Sequence, residues 1–225
     1  MSAEQIEQIR LWQESAYVEG RSAGSVEQTF DYLGATIVVP PEVMPITPVS
    51  HLLGEAVLAE TVEGDRVLDM GTGSGVNAIL AAKSGARVLA VDVNDAALGA
   101  ARRNVRHNEV ADRVEVRRSD VFAEVPESFD LIIFDPPFRW FPPRDRFELA
   151  STDTDYRAMT EFFHDAPEHL AKGGRMLIFF GTSGDLGYLQ QLMSRNRVSW
   201  EVVARGEAFR DGWRVEYCTH RVTPL

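Results

Sequence analysis

The segment of this sequence best suited to chemistry is Asp135-Pro136-Pro137-Phe138. Each proline locks its own φ, so the turn they build is stiff and directs the Asp135 carboxylate and the Pro136 carbonyl toward one point. Both groups are acceptors, and an NH2 group can donate one hydrogen to each. Phe138 adds a ring face on which a planar group can stack. Taken alone, the same four residues also suit a purely structural turn at a strand end.

A second segment, Val67-Leu68-Asp69-Met70-Gly71-Thr72-Gly73-Ser74-Gly75, reads as a strand running into a glycine-rich turn and then a helix. Glycine lets a backbone approach a ligand closely, and turns of this kind sit at the carboxyl ends of parallel strands, where ligands bind. The dinucleotide fingerprint would place its third glycine where Val76 stands, and no Gly-Lys-Ser/Thr follows to cradle a phosphate. Asp92 closes the next strand about 20 residues on, where a carboxylate can accept hydrogen bonds from both hydroxyls of a ribose. Its rival reading is a helix N-cap, a role for which Asn94 and Asp95 also compete.

The order Asp69-x-Gly71-x-Gly73-x-Gly75, Asp92, Ser119-Asp120, Asp135-Pro136-Pro137-Phe138 resembles the class I S-adenosylmethionine-dependent methyltransferases that act on nitrogen. The resemblance covers roughly residues 36–225. It implies that Asp69, Gly71, Thr72, Gly73 and Gly75 lie beneath the methionine part of the cofactor, with Asp135 also beside it. Asp92 and Val93 would hold the ribose side, and Asp120 with Val121 would flank the adenine. Asp135, Pro136 and Phe138 would be the catalytic set, with Pro137 and Trp140 beside the substrate. The proline-rich stretch from Val39, with Thr47 and Ser50 before a helix, is similar in placement to the segment preceding the glycine strand in release-factor glutamine methyltransferases. Thr47 and Ser50 are thereby implied in substrate binding. Ile46 and Val49 replace the arginine and acidic residue usual there, and an aspartate replaces the usual asparagine of the Pro-Pro motif. The implied acceptor is a nitrogen of a protein or a small molecule.

Other chemistries fit less well. One cysteine, Cys218, gives neither a disulfide framework nor a thiolate metal site. His164 and His169 are five apart, which does not set both on one helix face as metal ligands, so no metal is expected. A formal net charge of −11 weighs against an autonomous nucleic-acid binder, leaving an rRNA or tRNA base methyltransferase as the alternative. A non-catalytic protein that keeps the cofactor fold is a further alternative, opposed by the intact Asp-Pro-Pro-Phe. The loop from Arg139 to Arg146, with three arginines, suits a substrate bearing a carboxylate or phosphate.

The elements that must position these residues follow from patterning. Short apolar runs at 66–70, 87–91, 114–117, 131–134 and 175–180 alternate with helical stretches at 76–83, 95–107 and 156–170. That alternation predicts an α/β, Rossmann-like, doubly wound and mostly parallel seven-stranded sheet. Strands at 198–204 and 213–221, joined through 206–212, predict an antiparallel hairpin at its C-terminal edge. Upstream, Ile6, Ile9, Trp12 and Ala16 predict an N-terminal helix that breaks across 21–25, a β-branched run occupies 35–39, and a helix follows at 50–60. The expected organisation is a helical extension over residues 1–35 and a catalytic domain over 36–225. No apolar run is long enough to span a bilayer, and the expected location is cytoplasmic.

Overall fold

The computed structural model describes residues 1–23, 26–210 and 212–225. Among them, seven strands form one sheet in the order β5-β4-β3-β6-β7-β9-β8, where β3 is Arg66–Met70, β4 Arg87–Asp92, β5 Val114–Arg118, β6 Phe129–Phe134, β7 Leu170–Gly181, β8 Val198–Arg210 and β9 Trp213–Pro224. The five strands β3 to β7 run parallel, and β9 pairs antiparallel with both β7 and β8. This is the predicted architecture. Its central strands are apolar on both faces, as a sheet covered by helices requires.

Helices α2 (His51–Glu60), α3 (Val76–Lys83) and α4 (Asp95–His107) pack on one face, while α5 (Arg157–Asp165) and α6 (Leu186–Arg195) pack against each other on the other. Between the layers lie Leu68, Ile79, Leu80, Leu131, Ile132, Phe162 and Phe180, all essentially inaccessible. Three sequence expectations are revised. The helix expected to reach 170 ends at Asp165, because Pro167 cannot continue the ladder and Ala166–His169 closes as a 3-10 turn. The connection expected over 206–212 is mostly strand, since β8 runs to Arg210. The N-terminal helix α1 spans Ala3–Ala23, while the break at Gly24-Ser25, like Asp211, lies outside the described residues.

Two elements escape the sequence patterning: α6, and the strand β1 (Gln28–Tyr32) that pairs with β2 (Ala35–Val39) in a separate hairpin straddling residues 35 and 36. Two asparagines one helical turn apart, Asn104 in α4 and Asn108 at its C-cap, dock this hairpin as a neighbouring strand would. Asn104 accepts from the Val38 amide (2.9 Å) and donates to its carbonyl (2.8 Å), and Asn108 does the same for Thr36 at 3.1 and 2.7 Å. The Asn104 Nδ2 also donates to the Ser74 carbonyl (2.8 Å), which ties hairpin, helix and glycine turn together.

Candidate functional site

Strand order reverses at β3: the chain proceeds outward through β4 and β5, then crosses back to lay β6 on the other side of β3. Such a switch opens a crevice at the carboxyl ends of the two strands. Met70 is in register with Phe134, so the residues that follow them, Gly71 and Asp135, leave the sheet side by side. The two segments with the strongest chemical character therefore share one crevice.

Gly71, Gly73 and Gly75 all have left-handed backbone, with φ of 66°, 55° and 85°, a conformation costly for any other residue. A side chain at Gly75 would also press on Ala101 of α4 at 3.1 Å, whereas the Cβ positions of Gly71 and Gly73 meet nothing nearer than 3.9 Å. Gly75 thus serves helix packing, while the other two keep a bare backbone facing the crevice. Thr72 spends its hydroxyl on Asp69 (2.5 Å) and its amide on the Val91 carbonyl (2.9 Å), so it shapes the turn rather than offering free groups. Asp69 is buried and also accepts from the Ala78 amide in the first turn of α3 (3.1 Å). Burial pushes its carboxyl up to about 7, with Asp92 adding to the rise and these hydrogen bonds opposing it.

Asp92 accepts from the Gly73 amide (2.9 Å) and from the Asn94 amide (2.8 Å), with burial raising its pKa. The helix cap is Asn94, whose side chain accepts from Ala96 (3.0 Å), so Asp92 is left to face the crevice. Beside it, Val93 is 46% exposed, an apolar surface next to a carboxylate. Val121 is buried with φ of 47°, a true outlier for a β-branched residue and a mark of local strain. The Asp120 side chain turns instead to Arg157, at 2.9 Å.

At the acceptor turn, Asp135 is exposed to the crevice while Pro136 is buried. The enclosing protein, with the Asp69 carboxylate near it, pushes the Asp135 carboxyl up to about 7, and the Arg139 guanidinium pulls the other way. Water in an open crevice counters this rise, and a ligand that displaces the water enforces it. The Phe138 ring is only 9% exposed and lies among Phe180, Phe179 and Tyr217, with centroids 4.9, 5.8 and 6.0 Å away. Its faces are occupied by protein, which leaves the half-buried Trp140, 4.9 Å from Phe141, as the aromatic surface beside the turn.

What holds the turn was not foreseen. The buried Tyr156 hydroxyl donates to the Phe138 carbonyl (2.7 Å) and accepts from the Asp185 amide (2.8 Å). A Cβ at Gly184 would sit 2.2 Å from that same carbonyl, so only glycine permits the approach. Arg139 donates to Ser183 (3.3 Å), and its backbone is clipped to Ser151 and Asp153. Arg144 is committed to Glu148 and Glu14, so two of the three loop arginines, Arg139 and Arg144, are engaged within the protein, while Arg146 is exposed. Thr47 and Ser50 bond each other (3.1 Å) at the start of α2. His51 bonds the Pro48 carbonyl, His164 pairs with Asp165 and His169 with the Glu127 carbonyl. No cluster able to hold a metal exists among the described residues.

The family model for the methyltransferase small domain matches residues 48–210. The chain belongs to that family. Within it, the chain is 35% identical over 168 residues to the release factor glutamine methyltransferase of Cereibacter sphaeroides, covering 68% of this chain and 59% of that protein. It is 31% identical over 162 residues to the ribosomal RNA small subunit methyltransferase C of Haemophilus influenzae, covering 70% and 44%. This methyltransferase small domain chain thus spans less than two thirds of each relative's length. Its fold is similar to the solved ribosomal protein L11 methylase of Lactobacillus delbrueckii subsp. bulgaricus, with a TM-score of 0.61 over 83% of each chain at 21% identity.

Proposed function

We propose that the chain is an S-adenosylmethionine-dependent N-methyltransferase acting on an amide or amine nitrogen of a protein or small-molecule acceptor. The observation that carries this reading is the emergence of Gly71 and Asp135 side by side from adjacent parallel strands. The crevice suits the cofactor: two left-handed glycines with open Cβ positions, a carboxylate at Asp92 and an apolar face at Val93. Bound there, S-adenosylmethionine supplies a methyl group activated by its sulfonium. Gly71 and Gly73 would cradle its methionine part, Asp92 would accept from the ribose hydroxyls, and Val93 and Val121 would border the adenine.

The remaining work is done by the acceptor turn. Asp135 and the Pro136 carbonyl each accept a hydrogen from the substrate nitrogen, which orients its lone pair toward the cofactor side of the crevice. Orientation of this kind can supply roughly 7 to 11 kcal/mol of barrier lowering. An ionised Asp135 also stabilises positive charge growing on nitrogen and is a base for the proton that nitrogen must shed. An asparagine in the same place would orient without accepting that proton.

The test is transfer of labelled methyl to fractionated protein, RNA and small-molecule extracts. Label should enter the protein or small-molecule fraction and vanish with Asp135→Ala, while cofactor affinity persists. Label in RNA would overturn the acceptor class, and label in no fraction would overturn the activity.

A further inference from the structure

Building on the cofactor reading above, we infer that α1 is the lid of the cofactor crevice and that the buried Glu148 carboxylate is its latch. Val43 lies 3.9 Å from the Cβ position of Gly73, and the Asn94 side chain donates to the Glu42 carbonyl, so the proline segment rests directly on the loop. Against that segment sit Gly20 of α1 and Phe147, the residue before Glu148, which together with Pro40, Pro41, Val43 and Pro45 close to a gap of about 20 Å3. Near the middle of α1, Trp12 meets Trp213 of the C-terminal hairpin edge to face at 5.2 Å. The helix therefore bridges from the roof of the glycine turn to the edge of the sheet.

Its attachment is mostly polar. Glu148, 3% exposed, accepts from Gln13 Nε2 (2.9 Å) and from Arg144 through its amide (2.7 Å), Nε (2.9 Å) and Nη2 (2.8 Å). Gln13 also donates to Ser151 (3.1 Å). Arg144 reaches Glu14 at 2.7 Å and lies 3.8 Å over the Tyr17 ring, and the Tyr17 hydroxyl donates to Asp145 (2.8 Å). A helix fixed permanently to a core carries a broad apolar stripe. Along α1, by contrast, Ile9, Trp12 and Gln13 are the only described residues fully buried, while Leu11 and Val18 are 63% and 54% exposed.

Elements with so few buried apolar contacts open at a fraction of the global stability. Opening here exchanges a set of charged hydrogen bonds for hydration of the same groups, which keeps the two states close in free energy. The latch also communicates with the acceptor side. The segment that carries Glu148 is clipped at Ser151 and Asp153 to Arg139, the residue after Phe138, so α1 grips both halves of the crevice.

The test follows binding and release of S-adenosylmethionine to the full chain by stopped-flow tryptophan fluorescence, beside calorimetric titration and amide hydrogen exchange. In Gln13→Ala and in Tyr17→Phe, which alter the latch without touching the glycine turn, dissociation should be at least tenfold faster. Association should also quicken, so that Kd moves less than either rate, and thermal midpoints should stay near that of the wild type. In the wild type, bound cofactor should slow exchange across residues 3–23. Rates within twofold of the wild type in both variants, or exchange in α1 indifferent to cofactor, would overturn the lid while leaving the cofactor reading intact. Absence of any binding heat in the wild type would overturn both.

Discussion

Asp135 is asked to do two things that compete. It must be ionised to accept a hydrogen bond and a proton, yet the surrounding protein and the Asp69 carboxylate push its carboxyl up to about 7. Below that value it is protonated and no longer a pure acceptor, so turnover should fall as pH drops through about 7 and reach a plateau above. The acidic limb should lie higher in kcat than in kcat/KM, because kcat reports the occupied and drier crevice. Asp135→Asn keeps an acceptor oxygen that does not titrate, and its profile should lose the acidic limb; a limb retained at the same midpoint would reassign the titration to another group. At this scale the sequence was most informative where partners are local: Asp92 ends its strand, and Asn94, two residues on, takes the cap. It was least informative where partners are distant. The engagement of Asp120 by Arg157, 37 residues away, and the hold of Tyr156 on Phe138 depend on how loops fold back, which spacing does not encode.

The elements that position the site were legible where burial imposes a clean pattern. The starts of β3, β4 and β5, and both ends of α3 and α4, fall where apolar runs end within two residues of a Gly, Asp or Asn. The β1–β2 hairpin lacks that signal, since Gln28–Tyr32 sets only Phe30 and Tyr32 among polar residues and the free edge of β2 is held by the Asn104 and Asn108 side chains in place of another strand. Asn104 is the central fastening of this arrangement, only 1% exposed, with bonds to Val38 and Ser74. Truncating it strands buried backbone groups that each cost about 1–3 kcal/mol when unpaired. Asn104→Ala should therefore lower stability by about 2–4 kcal/mol in chemical denaturation, because three backbone groups lose their partner and relaxation with entering water recovers part of the cost. Loss below about 0.5 kcal/mol, within the range of ordinary surface substitutions, would show that the hairpin docks without it.

Across the whole molecule, the glycine turn and the acceptor turn share one crevice because the strand order reverses at β3, a property of the doubly wound connectivity that the strand and helix alternation implied. What the alternation could not convey is how the crevice is covered: α1 crosses it on a polar attachment, and the C-terminal hairpin extends to meet the helix at Trp213. The net charge of −11 describes the surface as a whole and does not by itself choose between a protein, small-molecule or RNA acceptor. No described helix is long and apolar enough to cross a membrane. The central claim is that the glycine turn and Asp92 together bind S-adenosylmethionine, and calorimetric titration of the full chain tests it most directly. The account predicts one site per chain, with affinity at least tenfold weaker in Asp92→Ala, in keeping with roughly 1.5–3 kcal/mol for a hydrogen bond to a charged group. Absence of binding, or equal affinity in the variant, would contradict it.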